Sequence, residues 1–180
     1  MSRAMKVPAR TLTLTAVSAA LIMVFNTLPL GLPPSMNPLP LRVPSTVVTL
    51  MVSIIDPWAG AFGTLIGHFS YDYMFVGLGA VPALFGCWCY VPFGYLMRRK
   101  GGSTLWKLIL GSAMCIGWVT LTLTLGFWAL GVMPVWVAFY LILTSITLTF
   151  ILSDLIMIPL LPRLRHYIDK VTSHKAPERS

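Results

Sequence analysis

The stretch Ile54-Ile55-Asp56-Pro57-Trp58-Ala59-Gly60-Ala61-Phe62-Gly63-Thr64-Leu65-Ile66-Gly67-His68-Phe69-Ser70-Tyr71-Asp72-Tyr73 decides the fold. It opens on an Asp-Pro break, runs as an apolar helix and closes on polar and aromatic groups. The small residues Ala59, Gly63 and Gly67 recur every four positions. That spacing puts them on one helix face, where a neighbouring helix approaches backbone to backbone. A tightly packed scaffold at one end, with His68, Tyr71, Asp72 and Tyr73 at the other, is the arrangement expected of a binding protein in a bilayer.

Working outward, 57% of the 180 residues are hydrophobic and 10% charged, with a mean hydropathy of +0.82. A soluble domain carries roughly 25% charged residues, so the chain reads as an all-α integral membrane protein. A span needs about 20 apolar residues, which leaves room for roughly six crossings and no separate soluble domain. The net charge of +8 is less informative than its distribution. All the Lys and Arg except Arg42 fall in three clusters: Arg3, Lys6 and Arg10; Arg98, Arg99, Lys100 and Lys107; and Arg163, Arg165, Lys170, Lys175 and Arg179. The positive-inside rule makes all three cytoplasmic, which disfavours nucleic acid as a partner and points to the plasma membrane. Cys87, Cys89 and Cys115 lie in apolar stretches without a Cys-x-x-Cys pair and read as small core residues. The basic start and first apolar run resemble a signal peptide but lack a small-x-small cleavage site, so they read as a retained first helix.

In order along the chain, Thr11–Leu28 is the first span, with Ala16, Ala19 and Ala20 forming a flat strip for another helix within or outside this protein. Residues 29–44 hold six prolines in sixteen positions, which forbids a regular helix. This external loop either lies at the lipid interface or acts as a lid, with Asn37 and Arg42 reaching something beneath. Ser45–Ile55 is short for a span and turns through Asp56-Pro57 into the third helix, which ends near Val76. Ala80–Met97, Leu105–Leu130 and Val135–Leu161 complete six spans, the last ending at Pro162-Arg163. Residues 1–165 make the transmembrane domain and 166–180 a polar cytoplasmic tail. Both termini inside satisfy every basic cluster at once.

No enzyme signature is present: no Gly-x-Ser-x-Gly, no His-Glu-x-x-His, no phosphate-binding loop. No cofactor or metal is expected. Asp72, between Tyr71 and Tyr73, reads either as a hydrogen-bond acceptor for a solute or as an interfacial residue in a tyrosine belt. His68 reads as an interhelical hydrogen-bonder, and Asp154 as an internal salt bridge or a cap for a neighbouring helix. Trp88, Trp118, Thr122, Trp128, Trp136, Tyr140 and Thr144 lie in outer helix halves, where as a set they line a pocket for a small organic ligand, or singly form aromatic belts.

Three segments carry a resemblance. Ala16-Val17-Ser18-Ala19-Ala20 is similar to the Ala-x-x-x-Ala strip of the substrate-binding S components of energy-coupling factor transporters. Asp56-Pro57-Trp58-Ala59-Gly60 looks like that family's Gly-Pro-x-x-Gly helix start, with Asp56 in place of Gly. Ser153-Asp154-Leu155 through Pro159-Leu160-Leu161-Pro162-Arg163-Leu164-Arg165 resembles its last-helix ending. The resemblance covers nearly the whole chain and rests on short motifs of common membrane residues. It implies a vitamin or micronutrient pocket built from the outer parts of helices four to six, with residues 29–44 as its lid. It also implies docking of the alanine strip to a transmembrane coupling subunit, and two cytoplasmic ATPase subunits that drive release inward. The alternatives are a six-helix scaffold of the rod-shape type and a stand-alone ion-coupled carrier, the latter disfavoured by the few embedded charges.

Overall fold

In a computed structural model the protein is described over residues 8–27, 41–76 and 81–173. Its regular structure there is helical: α1 (Ala9–Thr27), α2 (Val43–Ile55), α3 (Pro57–Val76), α4 (Ala83–Gly86), α5 (Tyr90–Arg98), α6 (Thr104–Ala129) and α7 (Val135–Ser173). Among the described residues, three helices are long and apolar enough to cross a membrane: Ala9–Thr27, Thr104–Ala129 and Val135–Leu164. The chain is therefore of the membrane class. The twenty-residue α3 reaches a similar length, about 30 Å, but its glycines, tyrosines, His68 and Asp72 dilute its hydropathy.

The opening stretch folds as its spacing predicts. A Cβ at Gly63 would lie 1.8 Å from Ser18 Oγ, and one at Gly67 would lie 2.8 Å from Ile22 Cβ and 2.9 Å from the Ala19 carbonyl oxygen. Glycine is what lets α1 and α3 pack this closely. Gly60 faces the other way, and its missing side chain is filled by Ser53 of α2. Asp56 does more than break the helix. Its Oδ1 accepts from the Trp58 and Ala59 amides at 3.1 and 3.2 Å, capping α3, whose first position is Pro57. Its Oδ2 accepts from the Thr11 hydroxyl at 2.7 Å, tying the start of α1 to the α2–α3 turn.

α2 is the central helix, packed against α1, α3, α5 and α7, and none of its thirteen residues is exposed. Thr49 donates to the Ser45 carbonyl at 3.0 Å and Ser53 to the Thr49 carbonyl at 2.7 Å, while Thr64 of α3 reaches Thr49 Oγ1 at 3.0 Å. Around it lies an apolar core of Leu50, Ile54, Phe93, Leu108, Phe150 and Met157, with Tyr90 stacked on Phe150 at 6.4 Å between ring centroids. Cys87, Cys89 and Cys115 are buried, unpaired members of this core.

Two segments depart from the expected spans. The fourth is not one helix: a turn of 3-10 helix at Cys87–Cys89 separates α4 from α5. The sixth does not stop at Pro162 but continues through Pro159 and Pro162 to Ser173. Both prolines sit on the exposed side, where lost backbone bonds cost least, while Ser153, Met157, Leu161 and Leu164 keep the opposite side buried.

Candidate functional site

The ends of α1 and α3 and the start of α2 bring five polar or aromatic side chains together. His68 and Asp72 are four residues apart, on one face of α3. Arg42 precedes α2, and Asn26 lies one residue before the end of α1. Arg42 grips Asp72 in bidentate fashion, Nη2 to Oδ1 at 2.5 Å and Nη1 to Oδ2 at 3.1 Å. The same Nη1 lies 2.9 Å from His68 Nδ1, and Asn26 Nδ2 lies 3.1 Å from that nitrogen. A guanidinium only donates, so Nδ1 is the acceptor and the ring proton resides on Nε2. The Tyr71 ring backs the guanidinium, 5.6 Å from centroid to Cζ, within cation–π range. A planar fork against a carboxylate is the strongest pairing available to these groups. It leaves one buried atom unmatched: Asn26 Oδ1 has no hydrogen-bond partner among the described residues.

The depth of this cluster follows from the shortness of α2. Ser153 of α7 donates to the Val43 carbonyl at 3.3 Å, so the first residue of α2 is level with a residue eighteen positions into α7. At 1.5 Å per residue, about 27 Å of α7 rises beyond that level. α3 also continues past it, to Val76. Arg42 therefore stands just before the start of α2, where Asn26 of α1 and His68 and Asp72 of α3 converge. Residues 28–40, which connect α1 to α2, lie outside the described residues, as does Asn37.

The other sequence candidates are placed as follows. Trp118, Trp128, Trp136 and Tyr140 are on exposed faces of α6 and α7, and Trp88 is near the boundary of exposure. The structure does not bring them into contact with the Arg42–Asp72 pair. Trp118 Nε1 donates to the Phe85 carbonyl at 2.8 Å, joining α6 to α4, and Trp88 meets Phe62 edge-on at 5.7 Å. The Thr122 and Thr144 hydroxyls are engaged by carbonyls of their own helices. Ala16 and Ala20 are exposed on α1, whereas Ala19 is buried against α3. Asp154 accepts from the Ser112 hydroxyl at 2.9 Å, which links α7 to α6 without a cation.

Sequence reasoning missed Asn26, and it also missed Thr120 and Thr124, two buried α6 hydroxyls without a hydrogen-bond partner among the described residues. Thr120, Thr122 and Thr124 alternate in a stretch that is apolar on every side, so their order carries no signal for which of them faces inward. His68 is the interhelical hydrogen-bonder the sequence suggested, and its partners Asn26 and Arg42 make it part of the cluster. Comparison with protein-family models, curated proteins and solved structures gives no match to this chain.

Proposed function

We propose that the protein is the solute-capture subunit of a micronutrient uptake system in the plasma membrane, of the kind the S-component resemblance implies. It crosses the membrane six times with both termini in the cytoplasm, so the Arg42 cluster lies toward the outer face. Residues 29–44 are the lid that the resemblance implies. A transmembrane coupling subunit, docked through Ala16 and Ala20, and two ATPase subunits then reorient the protein for release inward.

The observation that carries this reading is the hydrogen-bonded cluster of Arg42, Asp72, His68 and Asn26 in an otherwise apolar chain. Polar groups at membrane depth are costly and mark ligand or ion paths. An orphaned buried acceptor such as Asn26 Oδ1 is a further sign, because leaving it unmet costs about 1–3 kcal/mol. A solute N–H or O–H would satisfy it.

The test is native mass spectrometry of the detergent-purified protein, with identification of any small molecule released on denaturation. The expected result is a near-stoichiometric solute in the wild type that is absent from Asn26→Leu, a change that leaves the Arg42–Asp72 pair intact. A solute retained equally by that variant would move the site away from the cluster. Co-purification with cell-wall proteins and no solute would favour the scaffold.

A further inference from the structure

At the far end of the bundle, α5 turns into α6 through Arg98-Arg99-Lys100-Gly101-Gly102-Ser103. Gly101 and Gly102 both have positive φ, 82° and 75°, which lets the chain reverse within a few residues. Lys107, buried one turn into α6, donates to the Arg99 carbonyl and so holds the loop down on the helix. Arg98, Arg99 and Lys100 are left exposed, and none of them is paired with an acid among the described residues. Directly beneath runs an open groove lined by Gly102, Trp106, Lys107, Ile109, Leu110 and Ala113. Its wall is almost wholly apolar. Trp106 (71% exposed) stands at its mouth, and Leu110 (61% exposed) lies one turn further along.

We propose that this loop and groove bind an anionic phospholipid, its phosphate held by Arg98, Arg99 and Lys100 and one acyl chain lying along α6 over Leu110 and Ala113. Charge complementarity at the loop is joined to an apolar continuation along α6. A free inorganic or nucleotide phosphate would use the cations but leave Trp106, Leu110 and Ala113 uncovered. A neutral lipid would cover the groove but leave three cations unmatched. An indole beside a basic cluster is the arrangement that anchors a helix end at the headgroup level. The small side chain at Ala113 leaves room for an alkyl chain against the helix. The proposal requires only that the chain be embedded in a membrane and is independent of the solute reading.

Delipidated protein is titrated with palmitoyl-oleoyl phosphatidylglycerol and, separately, with the matching phosphatidylcholine, and lipid adducts are counted by native mass spectrometry. The wild type is expected to retain phosphatidylglycerol at least tenfold more tightly than phosphatidylcholine. A fivefold loss per charge corresponds to about 1 kcal/mol for each Lys or Arg near an anionic lipid, so the exposed triple change Arg98→Gln, Arg99→Gln, Lys100→Gln should abolish the preference. Ala113→Trp fills the groove without altering charge and should weaken phosphatidylglycerol retention severalfold. Equal retention of the two lipids by the wild type overturns the proposal. Undiminished phosphatidylglycerol binding by Ala113→Trp overturns the groove and leaves only a diffuse basic surface. Elution as a single species with unchanged helicity confirms that each variant is folded.

Discussion

Removing one member of the Arg42–Asp72 pair leaves the other charge, or its hydrogen-bonding partners, facing a largely dry interior. The two side chains are 24% and 12% exposed, so the cost is smaller than for a fully buried pair, about 1–3 kcal/mol. Arg42→Gln is expected to lower the thermal unfolding midpoint more than the double change Arg42→Gln, Asp72→Asn, because the double variant carries no unmatched carboxylate. Additive losses would mean that the two charges do not depend on each other. The orphaned hydroxyls of α6 give the opposite sign. Thr120→Val keeps the shape of the side chain and removes a buried Oγ1 that has no partner, so unliganded protein should unfold about 1 kcal/mol later.

At the scale of the elements, the interface between α1 and α3 depends on the absence of side chains at Gly63 and Gly67. Gly67→Leu drives a side chain into Ile22 and the Ala19 backbone, and backbone cannot move aside as a flexible side chain can. The expected loss is at least 1–3 kcal/mol, as for other overpacked cores, read as a lowered unfolding midpoint and slower folding into detergent-resistant monomer. Gly117→Ala on α6 is the matched control, since a Cβ there meets nothing within 4 Å, and it should be neutral or slightly stabilising. This interface was legible in the sequence because four-residue spacing needs no knowledge of the partner helix. The break at Cys87–Cys89 was not, since Pro82, Gly86 and Pro92 punctuate a stretch that reads equally well as one apolar helix. The reach of α7 past Pro162 was hidden for a related reason: a proline forfeits one backbone bond, and only the buried Met157, Leu161 and Leu164 show why the helix continues.

For the whole molecule, composition and the three basic clusters were enough to place the chain in a membrane, and the shortness of the second span was visible as an anomaly. Its consequence was not, because it rests on a contact between Val43 and Ser153, 110 positions apart. A thirteen-residue helix covers about 20 Å, against a hydrocarbon core of about 30 Å. α2 alone is therefore too short to span, and whether its segment crosses sets a parity. In the proposed six-span topology α1, the α2 segment, α3 and the α4–α5 segment each pass once, so Ala9 and Lys100 lie on the same face and Val132, beyond α6, on the other. The native thiols are buried, so single added cysteines at these exposed positions report without a cysteine-free background. Ala9→Cys and Lys100→Cys should react with a membrane-impermeant maleimide only after permeabilisation, and Val132→Cys in intact cells. Labelling of Ala9→Cys and Lys100→Cys from opposite sides would mean that α2 and its approach re-enter rather than cross. The chain would then pass an odd number of times before the basic loop, and the Arg42 cluster could no longer open to the exterior above a spanning α2.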